Sequence, residues 1–201
     1  MEKGFCAALT GGIACGKSVV AEFWRRWGAE TLDADDVAHA LIAPGGECVE
    51  AVVQAFGPAV RAAAGGVDRV RLGQIVFADA AARARLNGLL HPAVIRRMRA
   101  WAEDVRRSGR RGVAVIPLLF EVGLERDWDA VVCVAADERT MQERLIGRGL
   151  TPAEAQARIA SQWPVREKAA RADRVIDNNG SLADLERQCR AIWNDLFEQG
   201  D

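Results

Sequence analysis

The sequence predicts an α/β fold in which a parallel sheet of five strands is covered by helices on both faces. Three observations support this prediction. A glycine-rich phosphate-binding motif lies near the start of the chain, short apolar runs alternate with helical patterns, and one connection is too long for a simple crossover. The 201 residues, 50% of them hydrophobic, suffice for one compact domain that carries an inserted subdomain.

The five predicted strands are short apolar runs. Nearly continuous apolar runs of this kind suit parallel strands that are buried on both faces. The strands are predicted over Phe5–Thr10, Glu30–Asp33, Val113–Pro117, Ala130–Ala135 and Arg174–Ile176. Their alternation with helices favours a doubly wound sheet with right-handed crossovers.

Helix start and stop signals lie between these strands. The first helix is predicted over Lys17–Trp27, and Gly28 is its stop signal. Two later helices are predicted to begin at Thr151 and Ser181, because each is an N-cap residue with an acidic residue three positions further on.

A long helix-rich connection over residues 36–109 separates the second and third strands. It is far longer than a crossover needs, so we predict an inserted substrate-binding subdomain there. Inside it, His91-Pro92 is expected to end one helix and open another, with substrate binding and helix capping equally open as roles for His91. The segments predicted to form the core are 1–35, 110–138 and 172–201.

The phosphate-binding motif is the run GGIACGKS, which fits the pattern G-x-x-x-x-G-K-[ST] in its required strand–loop–helix context. Glycines let the backbone approach phosphate oxygens, and the N–H groups of the loop and helix N-terminus attract negative charge. We expect Lys17 to reach the β- and γ-phosphates and the Ser18 hydroxyl to bind Mg²⁺. The nucleotide-binding residues of this loop are Gly11, Gly12, Ile13, Ala14, Cys15, Gly16, Lys17 and Ser18.

Composition argues against several other classes of protein. The 27 basic and 28 acidic residues nearly cancel, so no basic field for nucleic acid is expected. The sequence shows no signal peptide and no apolar run long enough for a bilayer, which predicts a cytoplasmic protein without a membrane partner. The five cysteines lack metal-ligand spacing, so Cys6 and Cys133 are predicted as core residues and no structural zinc site is expected.

Two carboxylates, Asp33 and Asp35, follow the second strand. The carboxyl ends of parallel strands share one edge of a sheet, which is also the edge of the phosphate loop. A kinase needs a carboxylate near the acceptor hydroxyl, and Asp33 is our candidate for that base. A helix-capping role is equally open for Asp33 and is favoured for Asp36. His39, about one helical turn further on, is expected to face the acceptor site.

Arginines dominate the region after the fourth strand. Arg144 and Arg148 are spaced i,i+4, so we expect their guanidinium groups to share a helix face. In kinases with a phosphate loop, arginines of this kind lie on a mobile helical lid that excludes water and stabilises the transferring phosphoryl group. The alternative is a solvated face, with Glu143 and Glu154 as ion-pair partners. The segment after the third strand ends in Glu121, which could contact substrate or metal or cap the next turn.

In order along nearly the whole chain, these motifs resemble the dephospho-coenzyme A kinase family. The matching residues are Leu9–Ile13 with Gly16–Ser18, Asp33–Asp35, His39, Leu86-Asn87, Leu90–Pro92, Pro117–Glu121, Arg144–Ile146 with Arg148, Arg158-Ile159, Gln162, Lys168, Ala172-Asp173 and Val175–Gly180. The resemblance implies a P-loop kinase fold with three α/β/α layers around a five-stranded parallel sheet. It also implies a CoA-binding helical insertion over 36–109 and a helical lid over 139–171.

The resemblance implies ATP-dependent phosphorylation of the 3′-hydroxyl of dephospho-CoA, the last step of CoA synthesis. ATP is then the co-substrate with Mg²⁺, and the partner is this small molecule, with a monomer favoured. It implies catalytic roles for Asp33 as base, Lys17 and Arg144. Arg148 and, near the adenine pocket, Asn179 join Arg144 as ATP contacts. The residues assigned to the acceptor are Thr10, Asp33, Asp35, His39, His91, Leu118 and Glu121.

One departure from the family pattern lies in the phosphate loop, where Ala14-Cys15 replaces the usual Gly-Ser. We expect Ala14 to avoid backbone angles that only glycine adopts readily. A thiol beside a helix N-terminus and Lys17 should have a lowered pKa, so Cys15 is a candidate for sensitivity to oxidants.

Two competing interpretations of the nucleotide site remain open. A nucleoside or nucleotide kinase of the same architecture would share the phosphate loop, but the Asp33–Asp35 and His91-Pro92 signatures argue against it. A GTPase-like binding switch would need an N-K-x-D guanine-reading motif, and the sequence has none.

Overall fold

The computed structural model describes residues 4–198 and contains the predicted five-stranded sheet. The strands are β1 (Phe5–Gly11), β2 (Glu30–Asp33), β3 (Arg111–Val115), β4 (Ala130–Ala135) and β5 (Arg174–Asp177). Their order across the sheet is β2-β3-β1-β4-β5, and β1 pairs in parallel with both β3 and β4. This order places β1, which leads into the phosphate loop, at the centre of the sheet.

The central strand is buried on both faces. Residues 6–10 of β1 are all 0% exposed, and Cys6 and Cys133 are core residues as predicted. The third strand begins two residues earlier than predicted and ends before Pro117. A proline cannot donate a hydrogen bond to the ladder, so the strand stops short of it.

The described α-helices follow the strands as predicted, except between β3 and β4, where the connection contains a short 3₁₀ helix (Glu125–Asp127) in place of an α-helix. They are α1 (Lys17–Arg26), α2 (Ala34–Ile42), α3 (Val49–Phe56), α4 (Arg69–Ala78), α5 (Ala80–Arg107), α6 (Glu138–Ile146), α7 (Pro152–Ala160), α8 (Val165–Arg171) and α9 (Leu182–Phe197). Capping boxes at Thr151 and Ser181 begin α7 and α9, which confirms both predicted starts. The core includes the fully buried Trp24 of α1 and Trp193 of α9.

The prediction that His91-Pro92 separates two helices is wrong, because α5 runs through Pro92 without a break. A proline inside a helix costs about 3 kcal/mol, since it removes one hydrogen bond and crowds the preceding turn. Leu90, Ala93 and Met98 are buried on either side of it. Burial of this apolar face offsets the cost of the proline.

The chain divides into two compact units. The sheet unit comprises residues 4–32 and 102–198 of the described chain, and the helical unit comprises Asp33–Trp101. Among the helices of residues 4–198, none combines the length and the apolar character that a membrane span requires.

Candidate active site

The phosphate loop connects β1 to α1 in the sheet unit. Gly11 has a φ of +140°, and a Cβ there would lie 2.1 Å from the carbonyl oxygen of Val134 on β4. Gly16, the N-cap residue of α1, has a φ of +99° and offers no side chain to cap the helix. Glycine at these two positions therefore lets the loop turn tightly against β4 and keeps the first N–H groups of α1 accessible to an anion.

Lys17 lies over this loop. Its ammonium donates to the carbonyl oxygens of Gly11 and Gly12 at 3.1 and 2.8 Å. Ser18 follows in the first turn of α1 and is exposed. A point charge and a hydroxyl thus stand beside the helix N-terminus, the arrangement expected for a site that binds a triphosphate.

Ala14 adopts a φ of +57°, so the prediction that it avoids such angles is wrong. Its methyl group is buried in a small cluster with Leu145 of α6 and Ala155 of α7. The left-handed conformation costs about 1–2 kcal/mol in a residue other than glycine, and burial of a methyl group returns about 0.8 kcal/mol. Packing against α6 and α7 therefore offsets part of the backbone strain.

Replacement of Ala14 by glycine is expected to change the free energy of unfolding by less than about 1 kcal/mol. Relief of strain is nearly cancelled by loss of the methyl contact and by the about 0.4–1 kcal/mol of unfolded-state entropy that glycine adds. Ala155→Gly, in the interior of α7, removes a buried methyl group without relieving strain and should cost about 1–2 kcal/mol. Urea unfolding of both variants measures the free energy of unfolding. An equal decrease in the two variants would contradict the strain argument.

Cys15 is fully buried, and the predicted reactive thiol is wrong. Burial raises the pKa of the Cys15 thiol, and the nearby charge of Lys17 only partly opposes this shift. A raised pKa leaves the thiol protonated, and a protonated buried thiol is inert toward oxidants. The sequence pattern identified the nearby positive charge but could not reveal the burial.

Arg144 lies on α6 and contacts the phosphate loop directly. Its guanidinium donates to the carbonyl oxygen of Ala14 at 3.1 Å and to that of Asn178 at 2.8 Å. Helix α6 ends at Ile146, so the expectation that Arg148 continues the same helix face is wrong. Arg148 lies exposed in the turn that follows.

Asn179 joins the loops that follow β4 and β5. Its side-chain oxygen accepts from the backbone N–H of Asp137 at 2.9 Å, and its amide nitrogen donates to Asp177 at 2.7 Å. Asp137 in turn caps α6, where it accepts from the N–H of Thr140. The side chain of Asn179 therefore supports the start of α6.

A buried ion pair lies next to the loop after β3. Lys168 of α8 is 0% exposed and pairs with Glu121 at 2.6 Å. Its ammonium also donates to the carbonyl oxygen of Pro117 at 2.7 Å, and the hydroxyl of Thr10 points at that oxygen from 3.5 Å. Glu121 further accepts from the backbone N–H of Trp163 at 3.1 Å. The predicted acceptor residues Thr10 and Glu121 are thus brought together around Pro117, with Leu118 half-buried beside them.

Sequence reasoning gave Lys168 no role beyond its match to the family. The rarity of lysine is a signal that could have identified it, because nearly all basic residues of the chain are arginines and only three are lysines. Two of these, Lys17 and Lys168, hold carbonyl oxygens at the carboxyl end of the sheet.

The remaining predicted acceptor residues belong to the helical unit. Asp33 is the N-cap of α2, and its side chain accepts from the N–H of Asp35 at 2.8 Å. The prediction that Asp36 caps this helix is therefore wrong. Asp35 and Asp36 lie exposed in the first turn. The side chain of Asp33 reaches back to its own backbone because its φ and ψ are extended, which is the usual N-cap geometry.

The two histidines have different surroundings. His39 accepts at Nε2 from Arg69 at 2.9 Å, which requires an unprotonated nitrogen because arginine only donates. His39 and Arg69 line a groove of about 290 Å³ whose other walls include Ile42, Leu72 and Leu90. His91 lies half-buried within α5, and this burial lowers the pKa of its imidazole.

Comparison with known proteins agrees with this geometry. The profile of the dephospho-CoA kinase family matches residues 5–184. A dephospho-CoA kinase from Geobacillus kaustophilus is 46% identical over 94% of this chain and 96% of its own length. A dephospho-CoA kinase from Symbiobacterium thermophilum is 47% identical over 92% of this chain and 78% of its own length. The solved dephospho-CoA kinase from Campylobacter jejuni is 27% identical and superposes with a TM-score of 0.74 over 95% of this chain and 96% of that one. On the phosphate loop and these matches, the chain belongs to the dephospho-CoA kinase family.

Proposed function

We propose that this protein transfers the γ-phosphoryl group of ATP to the 3′-hydroxyl of dephospho-CoA, which yields CoA in the last step of its synthesis. The observation that carries the proposal is the phosphate loop with Lys17 across it, in a chain that matches the family from residue 5 to residue 184. The protein is then a phosphotransferase with an alcohol acceptor.

The donor half of the site consists of the phosphate loop, Lys17 and Ser18. The N–H groups at the start of α1 and the Lys17 ammonium bind the phosphates of ATP. Ser18 supplies a hard oxygen donor in the exposed first turn of α1, the type of ligand that Mg²⁺ prefers, so the residues present fit this ion. When bound, Mg²⁺ neutralises charge on the β- and γ-phosphates.

The acceptor half of the proposal assigns Asp33 as the base. Phosphoryl transfer needs the acceptor oxygen in line with the γ-phosphorus and a group that receives its proton. Asp33 is a half-buried carboxylate with one oxygen on the N–H of Asp35, and a carboxylate has further lone pairs for a hydroxyl proton. The helical unit, with its groove beside His39 and Arg69, is the proposed CoA-binding part, and His91 is a further acceptor contact within it.

The proposed lid carries Arg144 and Arg148 toward the transferring phosphoryl group. Nη1 and Nη2 of Arg144 each donate one hydrogen bond to a loop carbonyl oxygen. A guanidinium group has five N–H donors, so its remaining N–H groups can donate to the phosphates of ATP. Helix α7 packs on α6, whereas α8 packs on β1 and β4. We therefore propose that α7 forms the moving part of the 139–171 segment, while Arg144 ties α6 to the phosphate loop and Lys168 ties α8 to the core.

The location and assembly of the enzyme also stay predictions. All five cysteines are free thiols, which supports a reducing compartment such as the cytoplasm. We expect a monomer, with dephospho-CoA and ATP as its small-molecule partners.

The activity is tested by coupled detection of ADP from ATP with dephospho-CoA, nucleosides or nucleoside monophosphates as acceptor. ADP should form at the highest rate with dephospho-CoA, and 3′-phosphorylated product should appear by mass spectrometry. Lys17→Ala should lower this rate about 100-fold or more, because an electrostatic contact to the transferring group is lost.

The matched control is Arg26→Ala, which removes an exposed cation from the last turn of the same helix. Its ion pair with Glu22 lies at the surface and contributes little, so wild-type rates are expected. Preference for a nucleoside monophosphate would replace the proposal with the nucleotide-kinase alternative. Tight nucleotide binding without turnover of any acceptor would favour a binding switch.

A further inference from the structure

Asn178 is a buried polar residue that belongs to neither the donor half nor the acceptor half of the proposed site. It follows β5, is 7% exposed, and donates its backbone N–H to the carbonyl oxygen of Ala135 at 2.8 Å. Its side-chain nitrogen donates to the carbonyl oxygen of Cys15 at 2.7 Å. A side chain from the residue that follows the last strand thus holds the middle of the phosphate loop.

The bond from Asn178 fixes the direction of the next N–H group in the loop. In a planar trans peptide, the carbonyl of one residue and the N–H of the next point in opposite directions. Residues 4–198 contain no cis peptide bond. Because Asn178 holds the Cys15 carbonyl, the N–H of Gly16 points away from Asn178. This N–H immediately precedes α1, where backbone N–H groups bind phosphate.

Gly16 and Asn178 are fitted to each other. A Cβ on residue 16 would lie 2.2 Å from the side-chain nitrogen of Asn178, which is far inside contact distance. Residue 16 also has a φ of +99°, which disfavours other residues independently. The second glycine of the motif is therefore required for a second reason: it leaves room for the amide that holds the loop.

Asn178 also ties the loop to α6. Its own carbonyl accepts from Arg144 at 2.8 Å, while the other arm of Arg144 holds the carbonyl of Ala14 at 3.1 Å. The successive carbonyls of Ala14 and Cys15 are thus held by Arg144 and Asn178. Two consecutive peptide planes of the loop are fixed before any nucleotide arrives, which lowers the ordering cost of binding.

We propose that Asn178 is a positioning residue that aims the Gly16 N–H at a phosphate of the bound nucleotide and so sets nucleotide affinity. It acts through the loop and touches neither substrate. The proposal deepens the proposed function and rests on it only for the identity of the nucleotide.

The test is calorimetric titration with ADP, in the absence of any acceptor. Asn178→Ala should weaken ADP binding about 10-fold, because the Cys15 carbonyl loses its partner and the loop loses its fixed geometry. Asn178→Asp keeps the shape of the side chain but turns a carboxylate oxygen toward the Cys15 carbonyl oxygen. Because the two oxygens repel each other, we expect a larger loss of ADP affinity than in Asn178→Ala. In steady-state assays the KM for ATP should rise while the KM for dephospho-CoA stays unchanged.

Two controls separate positioning from general destabilisation. Asn194→Asp makes the same change at an exposed site on α9. Val105→Ala removes buried volume near the opposite end of β1, where the carbonyl oxygen of the neighbouring Arg106 accepts from the N–H of Gly4 at 2.9 Å. Both should bind ADP like the wild type, although Val105→Ala lowers the unfolding temperature.

Wild-type ADP affinity in the Asn178 variants would overturn the proposal. Equal loss of affinity in Val105→Ala and Asn178→Ala would also overturn it, since stability alone would then explain the effect. A failure of the wild type to phosphorylate dephospho-CoA would refute the proposed function. It would not affect the comparison of ADP affinities, because the titration contains no acceptor.

Discussion

Replacement of Asp33 by asparagine is expected to lower kcat by about 10²–10⁴-fold without weakening the fold. Asparagine cannot accept the proton of the acceptor hydroxyl at neutral pH. It caps helices as well as aspartate does, so the bond to the N–H of Asp35 at the start of α2 is retained. The variant therefore separates the two roles that the sequence left open for this residue.

The control for Asp33→Asn is Asp68→Asn. Asp68 is the N-cap of α4 in the same helical unit, and it accepts from the N–H groups of Val70 and Arg71 at 3.0 and 3.1 Å. The same substitution at the two caps should leave the unfolding temperature nearly unchanged in both cases. Only Asp33→Asn should lose turnover.

The rival role for Asp33 is positional, because phosphoryl transfer depends mainly on orientation and electrostatics. A carboxylate that orients the bound acceptor contributes to ground-state binding, so its loss raises the KM for dephospho-CoA. A base acts in the transition state, so its loss lowers kcat and kcat/KM by the same factor. A raised KM with near-wild-type kcat in Asp33→Asn would remove Asp33 from proton transfer.

The features that could be predicted from the sequence depend on neighbouring residues. Strand positions followed from apolar runs, and the starts of α7 and α9 followed from capping boxes that span four residues. The phosphate loop was recognisable because its glycines and Lys17 all lie between positions 11 and 17. Such features need only local geometry, so their pattern is complete in a short stretch of chain.

The features that escaped prediction depend on contacts between distant parts of the chain. Cys15 looked reactive from its neighbours, yet its burial arises from packing that a local pattern does not describe. Asn178 lies 163 residues from the carbonyl that it holds. Pro92 looked like a helix end, but buried residues on both sides of it keep α5 continuous. In each case tertiary packing outweighed the local preference.

The largest effect on stability is expected from Lys168→Met. The lysine is 0% exposed, and its loss leaves the carboxylate of Glu121, which is 16% exposed, without its counter-ion. Removal of one partner from a buried ion pair costs about 3–5 kcal/mol, because a charge then stays buried without compensation. The carbonyl of Pro117 loses its donor as well, which adds to the loss.

A double variant shows whether the unpaired charge causes this loss. Lys168→Met with Glu121→Gln removes both charges, and the glutamine oxygen can still accept from the N–H of Trp163. We expect it to recover at least half of the lost free energy of unfolding, since replacing a buried pair by neutral groups is often close to neutral. Additive losses from the two single variants would contradict this view, because coupled neighbours should give a large interaction term.

The exposed pair of Arg139 and Glu143 is the control for Lys168→Met. Its side chains are 87% and 62% exposed, so solvent screens both charges. Arg139→Met should change the free energy of unfolding by less than about 0.5 kcal/mol, as measured by urea unfolding under the same conditions. Both variants replace the cation of a pair with glutamate by methionine, so the expected contrast arises from the burial of Lys168 and from its bond to the carbonyl oxygen of Pro117. A loss in Lys168→Met no larger than that in Arg139→Met would mean that the buried pair does not hold α8 against the loop after β3.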